Sequence, residues 1–377
     1  MFGITAAGVV GLATTGADAA EFDVAMRYPD KQVGVLDPSF EKYRNTLAAV
    51  ERVATGLRWA EGPVWFGSFR TLVFSDVSNN RSMKCDEETG ELGVLRRPSN
   101  YSNGNCQDRE GRLVTCEHQA RQVTRTEHDG SITVLMDSFD GKKLNFPNDI
   151  VCKSDGTIWF NDPAFGPNPV EAMAAPDLPA NVYRLDPATK QATVVAGNVR
   201  GPNGLCFSPD KKILYIIEAR ATPNRLIRAY DVSAVGKTLG NDRVFFDCGK
   251  GTADGFRADA DGNLWCGWGM GEEEDGVIVV NPAGKMIGRI RRPERCANLC
   301  FGGVNRNRLL MASTKSIYAL REHERYRRDL GRFRPVRRAL RGTPTPDHRS
   351  LNPGPSMARD RLRSGCSGAN DPKEFQL

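Results

Sequence analysis

A chain of 377 residues with 40% hydrophobic content carries enough apolar material for one large or two ordinary packed domains, which excludes a chain disordered throughout. The net charge of +6 invites a polyanion reading, but from residue 321 onward Lys+Arg exceed Asp+Glu by 7, leaving about −1 over residues 1–320. The folded part therefore has no electrostatic reason to bind nucleic acid.

In chain order, residues 2–16 form an uncharged run of small residues followed by Ala17-Asp18-Ala19-Ala20, a sequence suited to signal peptidase. Residues 1–20 are thus expected to be an export signal, with a periplasmic or secreted protein as the consequence. The first basic residue is Arg27, so the usual positive start is missing and a cytoplasmic protein is the alternative. The run is too short to span a bilayer. Residues 21–49 read as an amino-terminal arm. Val50 to Gly56 alternates as an outer β-strand does, and such a strand could close a ring against the last repeat.

From there six short apolar strands recur, marked by Leu72, Leu113, Ile158, Leu214, Leu264 and Leu309 at intervals of 41, 45, 56, 50 and 45 residues. That is the period of a four-stranded propeller blade, and no convincing amphipathic helix intervenes. Turn signals at Glu88-Thr-Gly90, Glu127-His-Asp-Gly130, Lys153-Ser-Asp-Gly156, Ser208-Pro-Asp210 and Asp259-Ala-Asp-Gly262 mark hairpin ends. Asp259 to Asn263 resembles a calcium loop but has Met270 where a bidentate Glu is needed, so an Asx turn is expected there. The Pro-rich insertion after Asp162 is a candidate rim loop or lid. Cys206, Cys266 and Cys300 fall in apolar runs, where a thiol serves as a small hydrophobe. Beyond Leu320 the chain turns Arg- and Pro-rich, and residues 321–377 read as a disordered basic tail. Residues 50–320 are expected to form an all-β, six-bladed propeller with a central metal site.

The chemistry rests on one phase of that repeat. Ten or eleven positions before each marker stands an oxygen-bearing side chain: Glu61, Asn103, Asn148, Asn203, Asp254 and Asn298. Any one of them alone is adequately explained as a turn residue. As a set they occupy equivalent places, and in a closed ring they converge on the axis. Gly follows Glu61, Asn103, Asn203 and Asp254, as close backbone approach near an axis would require. Two carboxylates in a dry channel need a counter-charge. One divalent cation held by Glu61, Asp254 and the amides of Asn148 and Asn203 supplies it, with Ca2+ favoured by all-oxygen ligation over Mg2+ or Mn2+, and Zn2+ less natural. Only His118 and His128 precede residue 320, and there is no Gly-x-Ser-x-Gly, phosphate-binding or dinucleotide-binding motif, so any catalysis leans on the cation.

The segments Ala60-Glu-Gly-Pro-Val-Trp65, Leu144-Asn-Phe-Pro-Asn-Asp149, Thr157-Ile-Trp-Phe-Asn-Asp-Pro163, Gly201-Pro-Asn-Gly-Leu205 and Ala253-Asp-Gly-Phe256 resemble bacterial gluconolactonases of the regucalcin (senescence marker protein) family. The likeness runs from about Asp37 to Leu320. It implies a six-bladed propeller with one divalent metal, for which Glu61, Asn203 and Asp254 would be ligands and Asn148 a fourth ligand or a substrate contact. Asn103, His118 and Arg121 would face sugar hydroxyls. The expected activity is metal-assisted opening of a sugar lactone, in which the cation stabilises the oxyanion, water attacks and Asp254 acts as general base. A propeller hydrolase of organophosphates or other lactones, and a non-catalytic metal-stabilised binding propeller, are the alternatives. The partner is a small-molecule lactone, and the oligomeric state is not legible.

Overall fold

The computed structural model describes residues 28–322, apart from residue 88 and residues 169–173. The export run at residues 1–20 and the basic tail from residue 323 on lie outside them. Within them the chain is almost entirely β, in six antiparallel sheets that close into a six-bladed propeller and one small hairpin, Ser138–Phe139 with Lys142–Lys143, between blades 2 and 3.

Blade 1 consists of Ala60–Phe66, Thr71–Asp76, Arg81–Asp86 and Leu92–Arg96, running from the axis outward, and blade 2 of Ser102–Gln107, Leu113–Glu117, Gln122–Thr126 and Ile132–Met136. Blade 3 uses Ile150–Cys152, Ile158–Asp162, Asn181–Asp186 and Gln191–Ala196, and blade 4 uses Pro202–Phe207, Ile213–Glu218, Leu226–Val232 and Leu239–Asp247. In blade 5, Thr252–Ala258, Leu264–Gly269, Gly276–Val280 and Met286–Arg291 gain a fifth, outermost strand, Val33–Val35. The marker residues fall in the second strand of every blade, and the turn signals lie at the hairpin ends where Asx and Gly chemistry predicts them. In the Asp259 loop the carboxylate accepts from the Asp261 and Asn263 amides, both at 2.9 Å, which is the expected Asx turn.

Blade 6 has only three consecutive strands of its own, Cys296–Gly302, Arg308–Ser313 and Ser316–Arg321. Its fourth is Glu51–Thr55, which pairs antiparallel with the last of them from Glu51↔Ala319 to Thr55↔Ser316. The strand that looks truncated in sequence is therefore completed from the other end of the propeller, and the ring closes without an open edge.

The core is divided among the wedges between neighbouring blades. Trp265, Val277 and Ile290 of blade 5 pack with Leu299, Leu309 and Met311 of blade 6. Phe74, Met83 and Cys85 of blade 1 pack with Leu310, Ala312 and Ile317 of blade 6. Each fully buried side chain of this size contributes roughly 1.5–3 kcal/mol. Cys206 and Cys266 fill gaps between blades 4 and 5 as small hydrophobes. The arm contributes to the core as well. A short 3-10 helix, Pro38–Tyr43, capped by the Asp37 side chain, sets Phe40 and Tyr43 against Trp265 at ring separations of 5.7 and 6.2 Å. Gly288 leaves room for Phe40, whose ring would stand 2.5 Å from any Cβ at that position.

Candidate functional site

Five of the six innermost strands break register at the phase residue. The ladder shifts between Glu61 and Val64, Ser102 and Asn105, Pro202 and Leu205, Ala253 and Phe256, and Cys296 and Asn298. In blade 3 the strand begins only at Ile150, after Asn148 and Asp149. A β-bulge leaves a residue unpaired and re-aims its side chain, so the repeat delivers six irregular positions to the axis.

The glycines after these residues hold the ring together. A Cβ on Gly62 would lie 2.2 Å from the Asn103 carbonyl oxygen, one on Gly104 2.4 Å from that of Asn148, and one on Gly204 2.1 Å from that of Asp254. One on Gly255 would fall 1.9 Å from the Asn298 side chain. Asn103, Asn148, Asp254 and Asn298 thus each sit against the glycine of the blade before them. The Gly104 amide donates to the Asn148 carbonyl at 2.8 Å, and Asn161 donates to the Asn203 carbonyl. Between blades 1 and 2, Ser75 donates to the Asn103 carbonyl at 2.7 Å and Asn105 donates to the Gly62 carbonyl at 2.9 Å.

Glu61 and Asp254 are both buried, at 6% and 5% exposure. The Asp254 carboxylate accepts from Asn203 Nδ2 at 2.8 Å on one oxygen and from Arg295 Nη2 at 2.6 Å on the other. Burial pushes its carboxyl above the usual range, and Arg295 and Asn203 oppose that shift. Glu61 accepts from the Gly62 amide, at 3.0 Å, and from the Asn298 side chain, and has no ion-pair partner among the described residues. Burial, with the Asp254 and Asp149 charges nearby, holds its carboxyl well above the usual range.

Three residues at this centre, Asp149, Arg257 and Arg295, were not singled out from sequence. Asp149, 2% exposed, follows Asn148 and is 3.7 Å from Arg257, itself 5% exposed. Asn298 reaches both Glu61 and Asp149 with its side chain. Arg295 lies before the innermost strand of blade 6, with its guanidinium 5.8 Å from the Trp59 ring. For Asp149 the sequence signal was the carboxylate that ends the Pro-Asn-Asp motif. Together the centre holds three carboxylates, Glu61, Asp149 and Asp254, against two guanidiniums, Arg257 and Arg295. One negative charge is left over, and it falls on Glu61.

Among the remaining expected residues, Asn103 and His118 are joined by a 3.3 Å contact between Nδ2 and Nε2. His118 is 1% exposed, and burial lowers its pKa to about 4. Arg121 is engaged outside this group, donating to the Leu144 carbonyl and to Asp177 at 2.8 Å. From the Pro-rich insertion, Phe165 stacks on Phe146 at 6.4 Å, and Phe146 meets His118 edge-on at 6.3 Å. Arg220 covers the other side of Phe165 at 5.2 Å, so the insertion reaches the site through these two aromatic rings.

No three Asp, Glu, His or Cys side chains among the described residues form a ready metal cage. The expected ligand set contains only two acids, its other donors being amide oxygens. A buried Glu61 that feels the Asp254 and Asp149 charges and has no ion-pair partner among the described residues is the chemistry a hard cation fits.

Residues 59–315 match the model of the family described as SMP-30/Gluconolactonase/LRE-like region. A gluconolactonase from Zymomonas mobilis is 27% identical over 74% of this chain and 83% of its own length. A gluconolactonase from Xanthomonas campestris superposes with a TM-score of 0.71 at 32% identity, covering 77% of this chain and 94% of that one. A calcium-binding regucalcin from Agrobacterium tumefaciens shares the fold, with a TM-score of 0.62 at 19% identity, over 73% of this chain and 94% of that one. The chain belongs to the SMP-30/Gluconolactonase/LRE-like family.

Proposed function

We propose that the protein is a lactonase that opens a sugar lactone to its aldonic acid with the help of one divalent cation, calcium first among the candidates. The observation that carries this reading is the excess negative charge on buried Glu61, set among oxygen donors at the axis of a propeller of this family. A 6-deoxy-6-sulfogluconolactonase from Pseudomonas putida, 25% identical over 72% of this chain and 87% of its own length, adds a second sugar-lactone hydrolase to the relatives.

Glu61, Asn203 and Asp254 would hold the cation, with Asn148 as a fourth donor. Bound there, it would polarise the lactone carbonyl. The other roles belong to the chain. Asp254 takes a proton from the attacking water. A carboxylate oxygen has two lone pairs, so the oxygen that accepts from Arg295 can also receive that proton. Water oxygen bonds to the carbonyl carbon, the ring C–O bond breaks, and the proton passes to the departing alkoxide. Arg295 keeps Asp254 ionised between turnovers. Asn103 and His118, held as a pair, position the sugar hydroxyls, and Phe165 with Phe146 shields them from bulk water.

The test is hydrolysis of glucono-δ-lactone followed with a pH indicator, alongside acyl lactones and phosphotriesters. Chelation should abolish sugar-lactone turnover, and a divalent ion should restore it. Undiminished turnover by protein shown by elemental analysis to be metal-free would overturn the reading. Faster turnover of phosphotriesters would move the substrate class.

A further inference from the structure

A second concave site lies away from the axis, where the outer parts of blades 5 and 6 meet the amino-terminal arm. It is a cavity of about 610 Å³ whose polar wall includes Arg52, Arg291, Arg292, Asp30, Glu272 and Tyr318. Three guanidiniums thus face two carboxylates. Arg52 and Arg291 stand exposed at its mouth.

Arg292 is different. It is 8% exposed, its guanidinium lies 5.1 Å from the Tyr318 ring centre, and its Nε donates to the Arg291 carbonyl. Among the described residues, its two Nη groups donate to nothing, although neither is sealed from the cavity that Arg292 lines. Asp30 does not satisfy them. Its carboxylate is taken up in fastening the arm, accepting from the Gln32 amide at 2.8 Å and the Val50 amide at 2.9 Å. Burial lowers the Arg292 pKa, and the Asp30 charge opposes that shift only in part. A nine-tenths buried guanidinium normally pairs both prongs of its fork, and a planar oxyanion is the partner that fits two parallel N–H groups.

We propose that this cavity binds a small oxyanion, a carboxylate or a phosphate, clasped by the Arg292 fork with Arg52 and Arg291 completing its neutralisation at the mouth. The site is independent of the lactonase reading. It nevertheless has a structural route to the axis, because Arg292 opens the segment that leads to Arg295, the partner of Asp254.

Isothermal titration of the full chain with sodium acetate and, separately, inorganic phosphate in low-chloride buffer tests it. Saturable binding of at least one probe is expected, weakened about tenfold or more in Arg292→Met, as loss of a bidentate charged pair implies. Binding of acetate alone identifies a carboxylate site, of phosphate alone a phosphate site, and of both a general oxyanion site. Glu61→Gln, which alters the axis, should leave the affinity unchanged. If Arg292→Met fails to fold by circular dichroism, the exposed pair Arg52→Ala with Arg291→Ala decides, with a severalfold loss expected. Absence of saturable binding for both probes would overturn the proposal. So would affinities equal to wild type in these arginine variants, or binding lost only in Glu61→Gln.

Discussion

Asp254 shows how one side chain carries structure and chemistry at once. Its ion pair with Arg295 is mostly buried, so Asp254→Asn strands a guanidinium. It should cost about 2 kcal/mol of stability, less than the 3–5 of a fully buried pair because the Arg295 side chain keeps 29% of its exposure. Turnover should fall by about 10³ or more, the range expected for a general base. Adding Arg295→Met should recover most of the stability and none of the turnover, as read from urea unfolding and lactone hydrolysis on the same preparations. Recovery of activity in the double variant would mean that Asp254 matters only as a counter-charge. His118 makes a prediction about pH. Its pKa is about 4 in the fold against 6.5 for the free side chain, so between those values the unfolded chain holds a proton that the native one does not. Stability from this residue is therefore complete above pH 6.5 and is lost as pH falls toward 4, by about 3 kcal/mol in all. Relative to His118→Gln, the wild-type urea midpoint should decline across that window and run parallel outside it. At this scale the sequence was legible where a motif repeats and silent where partners come from distant blades. Glu61 and Asp254 could be read from their shared phase. Arg257 and Arg295 could not, because what makes them part of the site is a carboxylate about forty to a hundred positions away.

At the scale of the strand, the register break beside five of the six phase residues is the device that turns a regular ladder into a site. In three blades its sequence trace is an Asn-Gly or Asp-Gly pair, at Asn103, Asn203 and Asp254, and in blade 1 it is Glu61-Gly62. The close contacts make the glycines testable. Gly204→Ala puts a Cβ where the Asp254 carbonyl stands, 2.1 Å away, and should cost roughly 3 kcal/mol and most of the activity without removing a chemical group. Gly240, with nothing within 4 Å, should accept Ala within about 0.5 kcal/mol. Equal effects in thermal unfolding would show that the packing at Gly204 relaxes freely. Hairpin ends were legible because Asx and Gly turns are local chemistry. The fifth strand of blade 5, Val33–Val35, was not, because three residues carry too short an alternation to distinguish an edge strand from coil.

For the molecule as a whole, closure depends on one strand from far away in sequence. Deleting residues up to 56 removes Glu51–Thr55 and leaves Ser316–Arg321 as a bare edge in the ring. The truncated protein should lose several kcal/mol and associate through that edge, seen as a melting temperature lower by roughly 10 °C and a shift in size-exclusion elution. An unchanged melting temperature would show that blades 1 to 5 hold the ring unaided. The period alone announced the architecture, since five successive intervals of 41 to 56 residues admit few other arrangements. The peripheral cavity at Arg292 left no such trace, because its walls come from the arm and two blades.

The run of glycine contacts from blade to blade has a further consequence. Space alone fixes those glycines, whereas nothing steric fixes the acids beside them. A descendant of this scaffold that had abandoned catalysis would therefore keep Gly62, Gly104, Gly204 and Gly255 while its Glu61 and Asp254 drifted. The same separation makes the axis a place where new reactions could be installed by exchanging side chains without redesigning the blades around them.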